Sequence, residues 1–253
     1  AVLGTVRIRE TDGVFRVTTF QPCSGACEGR AQTPSKEGTD MNRILLAAAV
    51  ALAATPALAH HPLAGAPMET FVHGVASGIG HPLLGFDHLF FVLAVGVAAL
   101  FTGRAMTAPL AFVGATLAGV LIGGGEAAFV EPMIAISLLI MGYLVARGRA
   151  LTAPVAMGVF AALGIFHGMA FSPAMTGVET AAAGSVMVGY LLGLAAIQWA
   201  VAVGFGMVVS KVWNGVSADA ISARMSGAVV AGVGAFLVLE VAEGAAFAAL
   251  GLG

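Results

Sequence analysis

Apolar residues recur in blocks of about twenty from the middle of the chain onward, the length a helix needs to cross a bilayer core. The blocks predict transmembrane segments at 82–102, 107–123, 130–146, 151–167, 184–209 and 227–250. A partly amphipathic stretch, 68–80, precedes them and reads as lying at the outer interface. His81-Pro82 then reads as a helix start, because proline is tolerated at the first helical position. The pattern predicts an all-α membrane protein, a bundle of about six transmembrane helices.

The amino terminus is different. Residues 1–40 hold ten of the 24 charged residues, show no sustained apolar period and stop just before Met41. From Met41 the chain reads as a secretory signal: Arg43 is the basic n-region, Ile44 to Ala54 the short apolar h-region, and Ala57-Leu58-Ala59 the small-residue cleavage site. The expected organisation is an upstream extension (1–40) outside the native protein, a cleaved signal peptide (41–59), a periplasmic segment (60–81) and a six-helix membrane domain (82–253). The mature chain then starts at His60.

Composition supports the membrane class. Hydrophobic residues make up 59% of the chain and charged residues 9%, against about a quarter charged in soluble domains. The 35 glycines suit close approach of membrane helices, and Gly189 and Gly193 have the small-xxx-small spacing. The only cysteines, Cys23 and Cys27, form a lone C-x3-C in the extension, a weak metal signal. No basic patch points to nucleic acid and no Walker motif to a nucleotide.

The basic residues orient the bundle. After the signal they are Arg104, Arg147, Arg149, Lys211 and Arg224, all in alternate loops on one side, whereas the opposite loops carry Glu126 and Glu179. The positive-inside rule makes the basic side cytoplasmic and both mature termini periplasmic. A cleaved signal requires the same topology.

That orientation places all six histidines in the outer half: His60, His61, His73 and His81 before the first span, His88 within it, His167 at the end of the fourth. Asp87, Glu131, Glu240 and Glu243 lie on the same side. Ionisable groups at membrane depth face a cavity or a partner, since a charge at the centre costs about 2.5–3.5 kcal/mol on insertion scales. Mixed imidazole and carboxylate donors suit a divalent transition metal. His81 and His88, seven residues apart, are expected on nearly one helical face. Asp87 serves either as a ligand or as the group that fixes a histidine tautomer.

The segment His81-Pro82-Leu83-Leu84-Gly85-Phe86-Asp87-His88 closely resembles the H-P-x-x-G-x-D-H motif of the HupE/UreJ family, nickel or cobalt permeases associated with hydrogenase and urease systems. An Ala-His junction after a signal, Glu131 followed by Ile136-Ser137-Leu138 and Gly142, and His167-Gly168-x-Ala170 are similar too. The resemblance covers residues 41–253. It implies a multi-pass protein of the bacterial inner membrane, with hydrogenase or urease maturation proteins as partners. The chain departs from the family where H-G-x-A-H-G-x-E is usual: Phe171, Ser172 and Ala174 replace the later His, Gly and Glu, and Gln198 stands where a fifth-helix histidine is usual.

The expected function is uptake of Ni2+ or Co2+, with no other cofactor. His81, Asp87, His88, Glu131 and His167 are the metal donors, joined by His60 and His61 if the mature terminus forms a square-planar nitrogen chelate. Gln198 and Glu240 are expected along the pathway. Lower pH is expected to weaken uptake by protonating donors. One rival is a non-transporting sensor or accessory protein that binds metal at the outer face. The other, an intramembrane enzyme, is disfavoured by the absence of paired H-x3-H boxes and of a Ser/His nucleophile arrangement.

Overall fold

Glycine-rich seams bring the helices together in pairs. A computed structural model describes the backbone of residues 6–11 and 14–19, and residues 68–175 and 183–251 in full. Cys23, Cys27, the signal segment, His60, His61 and Glu179 lie outside the described residues. Two units are distinguished, residues 1–55 and 56–253.

The first unit contains an antiparallel hairpin of β1 (Val6–Thr11) and β2 (Val14–Thr19), with Ile8 opposite Val17. The extension, with no sustained helical period, thus carries a regular element of period two. Its signals are the alternation Val6, Ile8 and the intervening Asp12-Gly13, a strong hairpin dipeptide.

The second unit, among its described residues, is helical: α1 (Phe71–Leu84), α2 (Phe86–Leu100), α3 (Pro109–Ile122), α4 (Val130–Ala146), α5 (Ala153–Phe171), α6 (Ala183–Lys211) and α7 (Ile221–Ala249), with a 3-10 turn at Ser172–Met175. Among the described residues three helices, α5 with its turn, α6 and α7, are long and apolar enough to cross a membrane. The α1–α2 pair makes a fourth crossing if it is one bent span. The apolar helices α3 and α4 have 14 and 17 residues, about 21 and 26 Å at 1.5 Å per residue.

The expected first span is corrected. His81-Pro82 is not a helix start: α1 begins at Phe71, runs through His81-Pro82 and ends at Leu84. Thr70 caps it, its hydroxyl accepting from the His73 amide at 3.1 Å. Pro82, inside α1, lacks the amide that would bond the Gly78 carbonyl, which weakens the end of the helix. Gly85 is extended (φ −82°, ψ 104°), and α2 leaves at 82° to α1. His81 and His88 therefore lie on different helices, not on one helical face.

Close backbone approach explains the pairing. A Cβ on Gly74 or Gly78 of α1 would strike the carbonyl of Val186 or Tyr190 on α6, and one on Gly189 or Gly193 would strike that of Phe71 or Val75. Partners step the same way along both chains, so α1 and α6 run parallel. In the α3–α5 seam, Gly164 meets Phe112 and Gly168 meets Thr116, again parallel. Gly234 meets Leu138, and Gly227 meets Ala146, so α4 and α7 are antiparallel. Both arms of the bent pair touch α6: α1 lies along its first half, and Gly96 of α2 meets Ala202 in the second half. Most of α2 from Phe91 to Ala99 is buried, which makes it the central post of the bundle.

The carboxyl end of α2 shares a crevice with Leu144, Arg149 and Ala218. Nearby, the Arg224 Nε–H donates to the Ala146 carbonyl at the end of α4 (3.1 Å). Arg149 and Arg224 thus gather at the end of α2 opposite Asp87 and His88.

Gly78→Ala should destabilise the bundle by about 1–3 kcal/mol, the cost of overpacking a tight seam. Gly114→Ala, with nothing within 4 Å of the added carbon, should be neutral or stabilising. Thermal unfolding of the two variants in nanodiscs followed by circular dichroism checks this; equal losses would show that the α1–α6 seam is not tight.

Candidate metal site

The bend at Gly85 builds the site. A Cβ there would meet His88 Cδ2 at 2.9 Å, Asp87 Oδ1 at 3.1 Å and the His81 carbonyl at 3.3 Å. Glycine is needed for space, since its φ is ordinary. Asp87 lies in the first turn of α2, where the helix dipole favours a carboxylate. Its Oδ1 accepts from the His88 amide at 2.8 Å, and its Oδ2 stands 3.7 Å from His88 Nε2. His81, on the far side of the bend, has Nδ1 3.4 Å from the Ser77 hydroxyl and packs edge-on against Phe171 and Tyr190.

Behind His88 lies His167, fully buried where α5 meets α2, α3 and α4. Its ring packs on Phe91 and edge-on to Phe112, with centroids 4.2 and 6.1 Å away. Its Nδ1 is 2.8 Å from His88 Nδ1, and its Nε2 is 2.8 Å from the buried Ser137 hydroxyl. Ser137 donates in turn to the Ile134 carbonyl at 2.6 Å.

In front of His88 is a cavity of about 700 Å³. His81, Asp87, His88, Glu126, Glu131 and Glu240 line it, contributed by α1, α2, the α3–α4 connection, α4 and α7. Four carboxylates and two imidazoles on one concavity make it attractive to a divalent cation. Among the described residues, no three His, Cys, Asp or Glu side chains stand close enough to hold one ion together.

The expected donors and pathway residues, among the described ones, separate into three groups. His81, Asp87, His88, Glu131 and Glu240 reach the cavity. His167 does not line it. Nor does it end a helix at the outer face, because α5 continues to Phe171 and His167 is sealed within the bundle. Gln198 is elsewhere too, buried on α6 beside Pro82, Leu83, Leu89 and Val92, its amide atoms without a hydrogen-bond partner among the described residues. Glu131 falls in the first turn of α4 rather than at its cap, which is Phe129. Phe171 packs against His88 with the rings tilted 48° and their centroids 4.3 Å apart. Sequence reading assigned no site role to Glu126, Gly85 or Ser137. For Glu126 the outer-loop position is a signal, and Gly85 and Ser137 stand in the segments that resemble the family; what the two do there only the fold shows.

A family model described as HupE / UreJ protein matches residues 48–237. Protein HupE of Rhizobium leguminosarum bv. viciae is 31% identical over 190 residues, covering 70% of this chain and 95% of that protein. No solved structure matches significantly. The bend motif, the histidines and the acidic cavity thus occur in a multi-pass membrane protein whose match spans most of its length. The chain belongs to the HupE/UreJ family.

Proposed function

We propose that this protein is a permease that admits Ni2+ or Co2+ from the periplasmic side of the bacterial inner membrane, for hydrogenase or urease maturation. The single observation that carries the reading is the cavity where His81, Asp87 and His88 meet Glu126, Glu131 and Glu240. Family membership supports the choice of cargo. Imidazole and carboxylate together suit a borderline divalent ion, and the two cysteines lie far upstream of these donors in the chain.

The proposed topology is six crossings, a cleaved signal and both mature termini outside. The helix directions support it: the α1 arm of the first crossing runs parallel to the fifth, the second parallel to the fourth, and the third antiparallel to the sixth, as alternating passage requires. Basic loops at the end opposite the cavity are the cytoplasmic ones. The ion is captured at His88 and Asp87, and the exposed Glu131 and Glu240 swing in to complete its shell. Its onward path passes Gln198, whose unpartnered amide offers oxygen to a dehydrated cation. An inside-negative potential supplies about 4.6 kcal/mol per 100 mV to a doubly charged ion, so no nucleotide is required.

A second reading has its own support. The cavity does not reach Gln198, as suits a protein that binds metal at the outer face for a partner and does not transport it. Proteoliposomes given Ni2+, Co2+, Zn2+, Cu2+ or Mn2+ separate the two. Saturable uptake of nickel or cobalt, abolished by His88→Ala with folding intact, is expected; saturable binding without accumulation would favour the second reading.

Asp87→Asn should lower Ni2+ affinity about ten- to a hundredfold. It keeps an acceptor for the His88 amide and removes only the charge, so circular dichroism should be unchanged. Isothermal titration of the purified protein in nanodiscs checks this.

A further inference from the structure

The hydrogen bonds behind His88 have a direction, and it is set at Ser137. The Ser137 hydroxyl oxygen lies 2.6 Å from the Ile134 carbonyl oxygen. Two oxygens at that distance repel unless a proton lies between them, and only the hydroxyl can supply one. The proton therefore points at Ile134, and the Ser137 oxygen can only accept from His167 Nε2, 2.8 Å away. A neutral His167 then carries its proton on Nε2 and its lone pair on Nδ1. His88 Nδ1, 2.8 Å from that lone pair, must be the donor. A neutral His88 with its proton on Nδ1 carries no proton on Nε2, the atom 3.7 Å from the Asp87 carboxylate.

We infer that Ser137 and His167 are positioning residues that hold His88 in the one tautomer able to bind a metal through Nε2, and that His167 is not itself a ligand. The inference rests on the proposed role of His88 as a metal donor. Burial strengthens it: Ser137 and His167 are both fully buried, so water does not compete for their bonds. Both ring nitrogens of His167 are already occupied, and a metal could take one only by breaking the chain. A hydrogen-bond partner on the remote nitrogen of a ligating histidine orients the ring and raises its basicity. Here that partner is a second histidine whose own tautomer is imposed by a serine one helix further back.

The test is nitrogen NMR of the full chain in nanodiscs, labelled at histidine and free of metal, with His88→Ala and His167→Ala spectra assigning the signals. Protonated and bare ring nitrogens resonate far apart, so each tautomer is read directly. The wild type should show His88 protonated on Nδ1 and His167 on Nε2. Ser137→Ala should let His167 take either tautomer, spread the His88 proton over both nitrogens, and weaken Ni2+ binding about ten- to a hundredfold. A wild-type His88 protonated on Nε2 overturns the inference, whether or not the variant folds. So does a folded Ser137→Ala protein with unchanged tautomers. If the tautomers are as stated but His88→Ala still takes up nickel, the hydrogen-bond chain stands and the proposed function fails.

Discussion

Everything at the site depends on one interruption of the backbone. In hydrocarbon every amide and carbonyl must find a partner, so a helix can break only where the freed groups are buried in protein or line a wet cavity. Pro82 and Gly85 make that break between α1 and α2. It turns the amino end of α2, with Asp87 and His88, toward the carboxylates of α4 and α7. A straight helix through this segment would spread His81, Asp87 and His88 along a cylinder and open no cavity before them.

The glycine seams keep the bent chain in place. Without a hydrophobic effect between helices in lipid, association relies on close packing. Gly74 and Gly78 against Gly189 and Gly193 let α1 lie on α6 almost backbone to backbone. Along α3 and α5, Gly119, Gly164 and Gly168 do the same, and this fixes the depth of His167 behind His88. Packing thus sets the distances on which the imidazole pair depends. The pair's two polar links, to Ser137 and between the rings, set the orientation.

Helix α4 was legible in the sequence to the residue, and α3, α5, α6 and α7 to within a few residues at most ends, because long apolar blocks separated by polar or glycine-rich turns leave little choice. The first span was not. Its hydropathy is continuous through Gly85, and proline at position 82 is compatible with either a start or a late interior position. The choice is made by the seam with α6, which pulls 71–84 into the bundle. Likewise Asp87, His88, Glu131 and Glu240 could be grouped from their charge and depth. The division between His88 in the cavity and His167 behind it could not, since it depends on which face of α5 meets α2. Ser137 reads as an ordinary small residue until His167 is placed beside it. The hairpin of residues 6–19 shows the same limit from the other side: its period is two, and the surrounding chain invites a reading in periods of 3.6.

The central claim is that His88 and the cavity carboxylates form one divalent-metal site. X-ray absorption of the purified protein loaded with one equivalent of Ni2+ tests it most directly, with His88→Ala as the comparison. The account predicts nitrogen and oxygen donors without sulfur, an imidazole scattering contribution in the wild type, and loss of that contribution with His88→Ala. Identical spectra from the two proteins would contradict it.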